Sequence, residues 1–334
     1  MPRKKSFYSA GFFPKRFINI AEAANAKHAM KIAQFLDWKV TVEDIYVRQV
    51  NGHEVEYVPV NCSQSKATVR RGDPYSKNDL DVYAVVTKQY EVLPNEKCAY
   101  SIDKITESFS AKYLHAREYS GGKTCITIES NQEWTEIPAK KWKLRGHIWN
   151  SFDGKKAFSG YFTIYDGNLG VYLFQAHEKF RVSHKATASK GAEEREMEFK
   201  KKVDLELKIS IANVNERMGN LYDKSLMLAS IDMSESDLGE LLRNLFIRSD
   251  NQSDSVAARV EAQRKDVLDI FNNDASLEDY KNTAWAAYVA LVLHLDRQLP
   301  QEKEPRDYLN TDWKAKDAAF KAITEFAQKS GKFN

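Results

Sequence analysis

The chain has 334 residues, 43% hydrophobic and 29% charged, with 17 Phe, 16 Tyr and 6 Trp. That balance builds a packed core and excludes an intrinsically disordered chain. No stretch approaches the roughly 20 apolar residues a bilayer-spanning helix needs. No uninterrupted apolar segment follows the basic start Met-Pro-Arg-Lys-Lys-Ser, so no secretory signal is expected.

Three widely spaced cysteines, Cys62, Cys98 and Cys125, do not make a disulfide framework and fit a reducing compartment. The expected location is cytoplasmic. The charge is uneven. Residues 1–190 hold 29 Lys and Arg against 20 Asp and Glu, net +9, and residues 191–334 hold 21 against 27, net −6. A surplus of positive charge on one half is a pointer to an anionic partner, although an acidic helical half produces the same asymmetry unaided.

In chain order, residues 18–36 have helical apolar spacing at Ile20, Ala23, Ala24, Met30, Ala33 and Leu36. Residues 38–50 change to strand spacing with a break near Asp44, and Asn51-Gly52 marks a hairpin into Val55–Val60. Strands follow at 67–71 and 82–88. Asn95 is placed to cap a helix through Ile105. Further strands are predicted at 112–118, 123–129, 142–150, 157–165, 170–176 and 179–184. The period then lengthens. Helices are predicted at 187–231, at 234–248 with Ser236 as cap, and at 255–272, 277–298 and 313–329. Strands followed by helices give an α+β fold: a twisted, mostly antiparallel sheet with one or two helices, then a helical region. The expected organisation is a basic strand-rich region, 1–186, and an acidic helical region, 187–334, packed on it as one unit.

No reaction is written in the motifs. The seven histidines His28, His53, His115, His147, His177, His184 and His294 sit in no nucleophile or metalloprotease context. Cys-x-x-Cys and His-x-x-x-His pairs are lacking, so neither a metal nor a cofactor is expected. Gly121-Gly122-Lys123-Thr124 echoes the end of a phosphate loop but leads into a strand, and reads as a hairpin turn. Carboxylates at Asp79 and Asp81 lie in a turn. A nuclease would need such groups to converge in space.

The basic clusters carry the nucleic-acid reading. They supply Arg70, Arg71, Lys141, Lys143, Arg145, Lys155, Lys156 and Arg181 as candidate phosphate contacts. Alternation along a strand would put Lys141, Lys143 and Arg145 on one face and Trp142 and Leu144 on the other. A half-buried strand with a charged solvent side gives the same pattern. Phe152, Phe158, Tyr161 and Phe162 are nearby aromatics able to stack bases. Trp285, Tyr288, Leu291, Val292 and Leu295 make a helical core stripe rather than a ligand box, with His294 and Asp296 expected to cap or pair locally.

Four ordered segments resemble the phage- and plasmid-borne family of domain of unknown function 932. They are Leu36-Asp37-Trp38-Lys39-Val40; Val69-Arg70-Arg71 through Leu93-Pro94-Asn95; Asn150-Ser151-Phe152-Asp153-Gly154; and Thr283-Ala284-Trp285-Ala286-Ala287-Tyr288 with His294-Leu295-Asp296. Phe152 stands where the family pattern has a His, and Phe180–Lys185 lacks its Cys-x-Asn-Thr-like text, which favours binding over catalysis. The resemblance implies a mobile element in a bacterial cytoplasm and assigns no activity. A helix followed by a twisted sheet with a basic face is also similar to the core of phage single-strand annealing recombinases. The resulting expectation is a non-enzymatic DNA-associated protein that binds or anneals single-stranded DNA. The alternatives are a host-protein-binding or counter-defence factor and a metal-dependent nuclease. A homo-oligomer is compatible with each, and no membrane partner is expected.

Overall fold

The structure is a computed structural model. It describes residues 14–51, 54–62, 64–73, 79–119, 122–132, 134, 138–139, 142–154, 158–182, 192–246, 253–297 and 313–329. It is α+β, with antiparallel sheets first and helices after.

The first described element is a strand, β1 (Pro14–Asn19), where helical spacing suggests the start of a helix. It pairs antiparallel with β7 (Ala111–Tyr119). Only Ala26–Ile32 is helical (α1). Asn25 fixes its start: the side-chain oxygen accepts from the His28 N–H at 2.9 Å. Gln34 and Asp37 adopt left-handed backbone (φ 59° and 60°), which ends the helix before Trp38.

Strands β2 (Val40–Asp44), β5 (Lys66–Arg71) and β6 (Leu80–Val86) form a three-stranded sheet in the order β2-β5-β6. Strands β3 (Tyr46–Asn51) and β4 (Glu54–Pro59) form a separate two-stranded ribbon, with Asn51 opposite Glu54. The turn predicted at Asn51-Gly52 falls at that end; Gly52 lies outside the described residues. Helix α2 spans Asn95–Ser108, and Pro94 occupies its N-cap position. Asn95 does not cap it, because its side chain is used inside. Its Nδ2 donates to the Phe35 carbonyl at 3.0 Å, and its Oδ1 accepts from Asn150 at 2.9 Å and Thr124 at 3.3 Å.

The largest sheet has six strands in the order β1-β7-β8-β9-β10-β11. The later members are β8 (Lys123–Ser130), β9 (Trp142–Ser151), β10 (Phe158–Asp166) and β11 (Val171–Val182). β11 is one strand where the sequence suggests two. Two compact units share the chain: residues 1–131, 145–162 and 177–213 in one, and 132–144, 163–176 and 214–334 in the other.

In the first unit, Met30 and Phe35 beside α1 and Cys98 and Ile102 on α2 meet Ile126, Ile148 and Phe158 of the sheet around a small apolar pocket. Ile102, Ile126 and Ile148 are buried. Each buried aliphatic side chain of this size contributes about 1.5–3 kcal/mol.

The second unit is mostly helical. The helices of the C-terminal region are α3 (Ala192–Ala229), α4 (Glu235–Leu245), α5 (Asp254–Asn273), α6 (Ala284–Arg297) and α7 (Trp313–Lys329), with a 3-10 turn at Ala275–Tyr280. Ser234, not Ser236, caps α4, through a reciprocal capping box with Asp237. Helix α6 is buried apart from Leu295 and Arg297, as befits a central helix. Its Trp285 lies 5.6 Å from Trp142, and Tyr288 stacks on Phe174 and donates its hydroxyl to the Leu173 carbonyl at 2.7 Å. Among the described residues no helix is long and apolar enough to cross a membrane.

Candidate functional site

Three of the family-like segments meet inside the first unit. Arg70 on β5 lies 4.0 Å over the Trp38 ring and pairs with Asp73 at 3.1 Å. Arg70 and Asp73 are both 5% exposed, so the pair is internal. Burial raises the Tyr83 phenol to about 12, opposed by the hydrogen bond and charge of Arg70. Phe152 is fully buried, 5.9 Å from Trp38 and 6.4 Å from Tyr83, and its carbonyl accepts from the Thr68 hydroxyl at 2.7 Å. Gly122 has φ +67° and a Cβ there would sit 2.5 Å from the Tyr83 ring, so the turn admits only glycine. Asp153 pairs with Lys123 at 3.1 Å and accepts from the Ser151 hydroxyl at 2.6 Å. The position where the resemblance places a His therefore holds a ring packed among rings, with no proton to give or take.

A second polar cluster belongs to no sequence motif. His115, Thr127 and His147 stand side by side on β7, β8 and β9. Thr127 Oγ1 lies 3.2 Å from His147 Nδ1. Further along the same strands, Arg145 pairs with Glu129, and the Arg117 guanidinium lies 5.1 Å from the Phe17 ring. Burial, reinforced by Arg117 and Arg145, lowers His115 to about 2. Burial also holds His147 well below its ordinary value, with His115, Arg117 and Arg145 adding to the effect. Both imidazoles are neutral at physiological pH. Of the two, His147 shares a hydrogen bond with the Thr127 hydroxyl.

The predicted phosphate contacts are placed unevenly. Arg70 and Arg145 are inside, each beside a carboxylate. Arg71, next to Arg70 on β5, points the other way; its side chain is 61% exposed and reaches Glu43 at 2.8 Å. Lys143 is half-buried and Arg181 is exposed. Lys141, Lys155 and Lys156 lie outside the described residues. Alternation along β9 holds for Trp142 and Lys143 and fails at Arg145, because Glu129 on β8 gives that guanidinium a buried partner.

Among the described residues, the β3–β4 ribbon carries open apolar surface. Tyr46 is 54% exposed, Val50 57%, Val55 45% and Tyr57 65%. In the second unit, His294 and Asp296 pair with other helices. His294 bonds Asp266 on α5. Asp296 meets Lys316 of α7 at 2.9 Å. Among the described residues no group of three or more His, Cys, Asp or Glu is placed to hold a metal ion.

Together these features define an α+β protein in which Arg70, Arg145 and Lys316 are buried against carboxylates and whose open surface includes a two-stranded ribbon. The chain belongs to the family described as domain of unknown function (DUF932), whose model matches residues 82–323. The match begins on β6, so Trp38, Arg70 and the β3–β4 ribbon precede it. No curated protein and no solved structure matches the chain.

Proposed function

We propose that this is a non-enzymatic, DNA-associated protein of a phage or plasmid, which binds single-stranded DNA during recombination or replication in the bacterial cytoplasm. The observation that carries the reading is surplus positive charge joined to open strand surface. Residues 1–190 are net +9, and Arg48, Arg71 and Arg181 on their strands are exposed. With Arg70 and Arg145 buried against carboxylates, phosphate contact falls to these three, to Lys143, and to Lys141, Lys155 and Lys156. Phe152 in its aromatic packing supports binding over catalysis. The test is a mobility-shift series with labelled single-stranded DNA at rising salt. A shift at low salt that is lost as salt rises supports the reading. No shift at micromolar folded protein in low salt removes it.

One observation favours a second reading, a surface for a host protein. Besides the ribbon tyrosines and valines, Leu80, Val82 and Val85 on β6 are exposed, as are Met197, Leu205 and Ile209 on α3. Recovery of the same host protein from nuclease-treated lysate, with no DNA shift, would favour it.

A further inference from the structure

The β3–β4 ribbon is an expensive thing to leave uncovered. Two-stranded ribbons are at best marginally stable alone, and large apolar side chains on open strands invite aggregation. Its register sorts the side chains. Tyr46, Arg48 and Val50 on β3 stand opposite Pro59, Tyr57 and Val55 on β4, and cross-strand partners share a face. That face therefore carries two tyrosines, two valines, a proline and one cation, Arg48, directly opposite Tyr57. The reverse face carries Val47 and Gln49 opposite Val58 and Glu56, with Glu54 further along β4 on the same side. The carboxylates sit on one side and the guanidinium with both tyrosines on the other.

We infer that the Tyr46–Arg48–Tyr57 face is a base-stacking platform for a single-stranded nucleic acid. This rests on the proposed function and names the surface that performs it. More than half of each tyrosine's surface is open, which leaves a ring able to take a base. Tyr46 and Tyr57 are diagonal neighbours, roughly 7 Å apart at such positions, so each can take its own base. The planar guanidinium of Arg48, opposite Tyr57 and two residues along from Tyr46, stacks on a base or meets a phosphate. Unpaired bases present the π-faces that stacking requires, whereas duplex bases hide theirs. The acidic reverse face repels phosphates, so the strand runs along one side only. Stacking of this kind tolerates any base sequence.

The experiment uses the full chain and fluorescence anisotropy. The probes are a labelled oligothymidine, the matching abasic oligonucleotide and a duplex of equal length. The unmodified protein binds oligothymidine tightest. Tyr46→Ala/Tyr57→Ala weakens that binding roughly ten-fold to a hundred-fold, while Tyr46→Phe/Tyr57→Phe retains it. The rings lie outside the core, so both variants keep the circular dichroism spectrum and melting curve of the parent. Equal affinity for abasic and intact strands overturns the platform, as does undiminished binding by a folded alanine variant. In either case the DNA-binding reading stands. If the parent protein binds none of the three probes, that reading falls with it.

Discussion

Arg145 on β9 donates from Nε to Oε2 of Glu129 on β8 at 2.9 Å, and its Nη2 pairs with the same oxygen at 2.9 Å. The two residues are 9% and 7% exposed, and Lys112 stands 3.7 Å from the other carboxylate oxygen. A charge pair this deep holds the strands in register, and it takes Arg145 out of reach of a phosphate. Glu129→Ala leaves the guanidinium buried beside a missing partner, and such losses cost about 3–5 kcal/mol. Replacing both residues by apolar ones of similar volume, Arg145→Met/Glu129→Leu, should recover most of that. Denaturant melts of the three proteins check this; an unchanged midpoint for Glu129→Ala contradicts it.

Lys316 plays the corresponding part in the second unit. It is 1% exposed, its ammonium donates to the Tyr172 carbonyl at 2.6 Å, and it pairs with Asp296. Lys316→Met strands the Asp296 carboxylate and is expected to destabilise by about 3–5 kcal/mol. Lys316→Met/Asp296→Asn removes the uncompensated charge and should return part of that stability. The comparison is again one of unfolding midpoints. A single variant as stable as the double would show that the pair carries no net weight.

Those two pairs also mark where the sequence stops being informative. Helix α7 matches its predicted span of 313–329, and β3 pairs with β4 as a hairpin, because helical period and strand alternation are local signals. The partners of Arg145 and Lys316 are 16 and 20 residues away on other elements, and nothing in the surrounding text announces them. The row His115–Thr127–His147 is hidden for the same reason: it exists only once three strands are in register. β1 was obscured differently. The alanine-rich stretch after it carries helical spacing, and what makes Pro14–Asn19 a strand is its pairing with β7, about 100 residues on. A basic face on β9 requires one solvated side, and at Arg145 the strand is buried on both.

The two histidines make stability depend on pH in one direction. In the unfolded chain each titrates near 6.5, while in the fold both are lowered by burial and by the neighbouring guanidiniums. Above 6.5 both states are neutral and the contribution is fully present. As pH falls below 6.5 the unfolded chain takes up protons that the fold refuses, and stability drops by up to about 1.4 kcal/mol per histidine per pH unit. Melting temperatures from pH 7.5 to 5 should fall, and His147→Asn should flatten the decline. Parallel declines in the two proteins would remove His147 from the account.

Thiol chemistry reports burial directly. Cys62 is exposed, Cys98 and Cys125 are buried, and burial together with Glu96 raises Cys98 well above the ordinary thiol range. Native protein should therefore give one fast equivalent with a thiol reagent at pH 8, removed by Cys62→Ser, and all three after denaturation. Fast modification of Cys98 in the native state would mean that the packing around α2 is looser than described.

The salt dependence of single-strand binding is the sharpest test of DNA contact by this protein. If Arg48, Arg71 and Arg181 meet phosphates while Arg70 and Arg145 stay with their carboxylates, log K should fall linearly with log salt. For about three to six contacts, the slope on a single strand is roughly −2 to −4. Arg71→Ala and Arg181→Ala should each make it shallower by about 0.7. Binding by the folded protein that is absent at low salt, or indifferent to salt and to both substitutions, would contradict a phosphate-tracking surface on this fold.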